Sequence, residues 1–223
     1  MMTWLGFTGV FALFFATHSI PVRPRVRAAL VRYLGNRGFT FAYSTLSLVM
    51  LAAIIVTAGR APYVQFWPQA IWQHYIVIAG MFVVCLILAF SVGRPNPFSF
   101  GGAQNDRFDP AHPGIVRWLR HPILAALTLW ASLHLLPNGD LAHVLLFGVF
   151  AIFAVLGRTL IDRRKTREMG PELWRRLQSE IKKSSHRPSL AFSTGFFKRL
   201  VGAVVFFVAL ILLHPVLIGV GVL

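Results

Sequence analysis

Neutral imidazole is the ordinary protein ligand for haem iron and for several other metals. Chemistry is therefore sought first among the eight histidines of this sequence, which outnumber its seven acidic residues. His134 stands inside an apolar stretch, where an ionisable side chain is costly enough to mark function. Arg120-His121-Pro122 joins two basic side chains to the exposed backbone donors of a helix start, a place suited to an anionic group. Pro137-Asn138-Gly139-Asp140 has the chemistry of a tight turn, with Asp140 placed to cap the helix that follows. Asn138 and Asp140 join Arg120 as candidate contacts for an anion or a polar substrate group. There is no carboxylate pair, no Ser-His-Asp order, no His-Glu-x-x-His and no phosphate-cradling glycine run. Hydrolysis and phosphoryl transfer thus have no visible machinery. The single cysteine, Cys85, lies in an apolar run and builds neither a disulfide nor a thiolate metal site within one chain.

These residues are set in a chain that is 56% hydrophobic and 13% charged, against roughly 25% charged in a soluble domain. Lipid is the expected solvent. Six apolar stretches have the length of bilayer helices: 3–20, 40–58, 71–92, 115–136, 141–161 and 200–223. The fourth is uninterrupted only from Pro122 and spans with the help of an amphipathic turn over 115–120. At about 20 residues per span, six spans fill the chain. The expectation is one all-α domain over 1–223, a polytopic membrane bundle of about six transmembrane helices.

Charge in the connections sets orientation. Arg23, Arg25, Arg27, Arg32 and Arg37 follow the first stretch; Arg94, Arg107, Arg117 and Arg120 follow the third; twelve Lys and Arg, from Arg158 to Arg199, surround the fifth connection. The second connection has Arg60 alone and the fourth has none. Odd connections are expected in the cytoplasm and both termini outside, on the periplasmic face of a bacterial inner membrane. The first stretch has no basic residue before it and five arginines after it, the order of a retained anchor rather than a cleaved signal. The formal charge of +15 is interleaved with the spans and points to topology, not nucleic acid. His18, His112 and His121 fall toward cytoplasmic ends, His74, His134, His143 and His214 toward outer ends, and His186 in a solvated basic connection. The third connection, 93–114, is rich in Pro and Gly and reads as a lid or a loose loop. The fifth, 162–183, reads as an amphipathic helix with Leu173, Trp174 and Leu177 on one face, lying on the cytoplasmic surface.

Taken together, Arg120-His121-Pro122, Leu129-Trp130-Ala131, His134-Leu135-Leu136 and Asn138-Gly139-Asp140 resemble the NnrU family of bacterial membrane proteins. Thr17-His18-Ser19 with its following arginines, Tyr43-Ser44, Asp162-Arg163-Arg164 and His214-Pro215 extend the likeness over nearly the whole chain. The resemblance implies a link to denitrification and to nitric oxide-related proteins. The 15-cis-zeta-carotene isomerase of plants and cyanobacteria belongs to the same superfamily and holds haem b through histidines. By position in the shared motif, His18 and His134 would be the haem ligands here. Depth along the helices, at about 1.5 Å per residue, leaves His134 with His214, or His18 with His121, as alternative pairs. The same superfamily leaves room for a haem-dependent isomerase acting on a lipophilic polyene, and a non-catalytic assembly factor remains a further reading. Pro113-Gly114, Arg117-Trp118 and Arg120-His121-Pro122, with Met169-Gly170 and Trp174, are also similar to the C-terminal half of isoprenylcysteine and phospholipid methyltransferases. Where those S-adenosylmethionine enzymes carry paired glutamates, this chain has Asp162-Arg163-Arg164-Lys165.

Overall fold

A computed structural model describes residues 3–184 and 194–222, which leaves His186 and the end of the fifth connection outside the described residues. Among the described residues seven α-helices follow one another: α1 (Trp4–Ser19), α2 (Pro24–Ala58), α3 (Ile71–Ser91), α4 (Pro122–Leu135), α5 (Leu141–Met169), α6 (Pro171–Lys183) and α7 (Thr194–Ile218). No strand occurs among the described residues. Four helices, α2, α3, α5 and α7, are long and apolar enough to cross a membrane. The apolar helices α1 and α4 have 16 and 14 residues, about 24 and 21 Å of rise, short of the roughly 17 residues a span requires. Many large apolar side chains on the long helices remain exposed, Leu160, Leu212 and Val216 among them, as expected of surfaces solvated by lipid.

Several boundaries differ from those expected. Helix α2 starts at Pro24, not near residue 40, because proline suits the first helical position and the intervening arginines are good helix formers. It breaks at Gly35, whose φ of 70° and ψ of 167° are open essentially to glycine alone. Helix α5 runs eight residues past 161 because nothing in that stretch stops a helix until Gly170, at φ 86°, hands over to Pro171 at the start of α6. Helix α4 begins at Pro122; the residues before it form a short 3-10 turn, Gly114–Arg117, instead of lengthening the span. Helix α7 begins at Thr194, earlier than 200, since Thr194 to Arg199 hold no breaker except Gly195.

The chain divides into two compact units. The first is Met1–Trp67 with Gly139–Leu146. Helix α1, capped by the Thr3 hydroxyl accepting from the Gly6 N–H at 3.2 Å, packs along α2. The Tyr43 hydroxyl of α2 donates to the His18 carbonyl at 3.0 Å and so holds the end of α1. The second and fourth connections meet in this unit. The Gly139 carbonyl accepts from Phe66 N–H at 2.7 Å, and Leu141 N–H donates to Val64 O at 2.8 Å. That approach requires glycine, because a Cβ on residue 139 would lie 2.2 Å from the Trp67 carbonyl oxygen.

The second unit is Pro68–Asn138 with Phe147–Leu223. Its core between α3 and α4 is built on Val84, Ala126 and Leu133, with Gly80 clearing space for Leu133. Helix α7 packs on α3 through Phe207 against Phe82 and Phe196 against Phe90. Arg199 donates to the Ala89 and Val92 carbonyls at the end of α3, where a cation complements the helix dipole. The third connection is neither a loose loop nor a free lid. Phe98, Val116 and Trp174 form a second core with Phe108, Leu177 and Ile181 around them, so the apolar face of α6 lies on this loop. Leu173, expected on that face, remains exposed.

Candidate functional site

In the first unit, His18 stands in the last turn of α1. Its Nδ1 lies 2.8 Å from the Phe14 carbonyl four residues earlier, and its ring stacks on Phe14 at 4.0 Å between centroids. A carbonyl only accepts, so Nδ1 carries a proton, and in the neutral imidazole the lone pair is on Nε2. Asp140 caps α5 as expected: Oδ1 accepts from His143 N–H at 3.3 Å and Oδ2 from His143 Nδ1 at 2.7 Å.

In the second unit, His134 repeats the geometry of His18. Its Nδ1 donates to the Trp130 carbonyl at 2.9 Å, four residues earlier, and the Trp130 and Phe147 rings lie 5.3 and 5.2 Å from the imidazole. His214 likewise donates from Nδ1, to Val220 O at 2.7 Å. Asn138 does not reach outward; its amide donates to the His134 carbonyl at 2.7 Å and closes the end of α4. His74 uses both nitrogens, on Val222 O and the Gln69 amide.

His121 uses both as well. Its Nε2 lies 2.9 Å from Asp162 Oδ1 and its Nδ1 3.1 Å from Ser99 Oγ, with the ring buried ahead of the first turn of α4. Burial pushes the imidazole below its usual pKa against the opposing pull of Asp162, so Nε2–H donates to the carboxylate and Nδ1 accepts from the serine hydroxyl. Neither nitrogen is left for a metal. Asp162 Oδ2 accepts from Arg120 Nη1 at 2.9 Å. The Arg120 guanidinium lies 5.5 Å over the Trp174 ring. Gln178, in the amide orientation that satisfies both neighbours, accepts from Arg120 Nη2 and Trp174 Nε1, each at 3.0 Å. The Asn96 amide fixes the loop by donating to the Arg120 carbonyl at 3.0 Å, while its oxygen accepts from Phe98 N–H.

Arg120 and His121 are thus joined by Asp162 into one charged network, while Asn138 and Asp140 serve the turn that lies between α4 and α5. Ser99, Asn96 and Gln178 were not evident as site residues from sequence. The one signal for them is Pro95-Asn96-Pro97, a polar residue held between two prolines. Among the described residues no group of three or more His, Cys, Asp or Glu is placed to hold a metal ion. Any iron would rely on histidine Nε2 atoms, and among the described residues His18, His134 and His214 commit Nδ1 to a carbonyl while Nε2 has no hydrogen-bond partner, whereas His74 spends Nε2 on Gln69.

Four long apolar helices with exposed apolar side chains, and a polar network outside their apolar stretches, fit a helical membrane protein. Its family follows from sequence: the family model described as NnrU protein matches residues 6–222, and the chain belongs to the NnrU family. No curated protein and no solved structure matches it.

Proposed function

We propose that this NnrU-family protein holds haem b in the membrane and takes part in nitric oxide or denitrification-linked redox chemistry. One observation carries the reading: His18 and His134 each commit Nδ1–H to the carbonyl four residues back, which leaves Nε2 as a lone pair on an oriented ring. Such an outer hydrogen bond fixes the tautomer and raises the basicity of the ligating nitrogen. His18 and His134 are the axial ligands by resemblance, and His214, with the same tautomer in the unit of His134, is the alternate partner. Bound haem would supply an iron that exchanges one electron or takes up a small diatomic molecule. The chain's own part is to orient the imidazoles and to line them with Phe14, Trp130 and Phe147, whose rings keep water off.

The test is the visible spectrum of protein purified from iron-replete cells, oxidised and reduced. A Soret band is expected. It is lost in His134→Ala and in whichever of His18→Ala or His214→Ala removes the second ligand. A colourless, folded preparation ends the proposal, as does a spectrum that none of the three substitutions moves.

A further inference from the structure

Helix α5 leaves its apolar stretch at Leu160 and over the next two turns carries Asp162, Arg163, Thr166 and Arg167. With Arg120, Trp174 and Gln178 these residues line a cleft of about 790 Å³, many times the roughly 30 Å³ of one water. Three guanidinium groups face it against one carboxylate, a surplus of two positive charges (three minus one). Arg120 is held in place by Asp162, the Trp174 ring and Gln178.

Arg163 and Arg167 are different. They stand four residues apart on one helix face, both exposed, where like charges repel. Among the described residues neither has an ion-pair or hydrogen-bond partner. The chain pairs other arginines nearby at this same spacing, Arg164 with Glu168 and Arg176 with Glu180, yet leaves unpaired the two that open into the cleft. Planar guanidinium forks match the oxygens of a phosphate, and the Thr166 hydroxyl between them adds a neutral donor. The helix rises about 10 Å from Leu160 to Arg167, from an apolar wall to a cationic one, as an amphiphile with a charged head requires.

We propose that this cleft binds a phosphate group, carried by an anionic lipid headgroup or by a free phosphate compound, with Arg163 and Arg167 as its ligands and Thr166 as a supporting donor. The inference is independent of haem.

The full-length protein in uncharged detergent is titrated calorimetrically with short-chain phosphatidic acid below its micelle concentration, with inorganic phosphate, and with an alkyl glucoside of equal chain length. Charge-assisted hydrogen bonds of ordinary strength predict about a hundredfold weaker phosphate binding in the double variant Arg163→Gln, Arg167→Gln. Thr166→Val should weaken it a few-fold. Arg175→Gln with Lys182→Gln, an equal charge loss on α6 outside the cleft, should leave it within threefold. Saturable binding of both phosphate compounds, lost in the cleft variant, supports the site and shows that phosphate alone suffices. Binding of the lipid only supports it and assigns the headgroup. The proposal is overturned if neither binds, if the charge-matched variant loses as much, if the glucoside binds as tightly, or if S-adenosylmethionine occupies the cleft and phosphate does not.

Discussion

Asp162 is the acceptor on which two side chains converge, and its substitution separates charge from hydrogen bonding. In Asp162→Ala the buried His121 ring loses the partner of Nε2, a desolvated donor left unmet at about 1–3 kcal/mol. Arg120, about two-fifths exposed, loses a pair worth at most about 1 kcal/mol. The expected sum is about 2–3 kcal/mol. Asp162→Asn keeps an oxygen in place for His121 and should cost about 1 kcal/mol. The assay is reversible unfolding in mixed micelles, followed by tryptophan fluorescence. Because the native His121 pKa is lowered, the unfolded chain takes up that proton first. Stability should therefore decline as the pH falls through about 6.5. Asp162→Asn removes the upward pull on His121, so its decline should continue to lower pH. The same change deletes the one negative charge in the cleft and should tighten phosphate binding while the fold weakens. An alanine variant as stable as the wild type, or an asparagine variant as damaged as the alanine one, refutes this account of the network.

Two further outcomes follow from packing. Gly139→Ala sets a Cβ against backbone and should cost more than Gly80→Ala, whose Cβ meets only the tip of Leu133; overpacking of this kind runs to about 1–3 kcal/mol. Thermal aggregation midpoints of the two variants in detergent would show the reverse order if the second and fourth connections did not meet as described. Trp174→Ala removes the centre of the loop core and should cost about 3–5 kcal/mol locally. Limited proteolysis should then cut near Gly170 and in the third connection, and unchanged protection there would show that α6 is held by something else.

Four of the six expected spans, α2, α3, α5 and α7, are long enough to cross, because apolar length follows from bilayer thickness, and α3 ends within one residue of its expected limit; α1 and α4 are apolar but too short. The polar helical sections were less legible. Arginine favours helix as well as it favours a charged surface, so the first part of α2 reads equally as a basic connection. The amphipathic character of α6 was plain from Trp174 and Leu177, but its partner was not, since Phe98 and Val116 sit in a segment without periodicity. At the site, Arg120 and His121 are neighbours in sequence and stood out at once. Their shared acceptor is 41 residues beyond His121, and no spacing rule links a loop before one helix to the far turns of the next. The lone pairs of His18 and His134 were likewise hidden, because a hydrogen bond from a ring to its own helix is a matter of rotamer rather than residue type.

The break at Gly35 also fixes how deep the first unit can sit. As an unbroken rod, the 35 residues of α2 would rise about 52 Å, far beyond a hydrocarbon layer of about 30 Å. It would then carry its arginines into lipid or its apolar end into water. Parting at residue 35 leaves residues 36–58, about 35 Å, as a segment matched to the bilayer. The basic section before it is free to follow the headgroups instead of the membrane normal. Arg27 fastens the joint from the polar side, its guanidinium 5.3 Å over the ring of Phe39 beyond the break. One glycine thus acts as a depth gauge, dividing a single helix into a keel and a float.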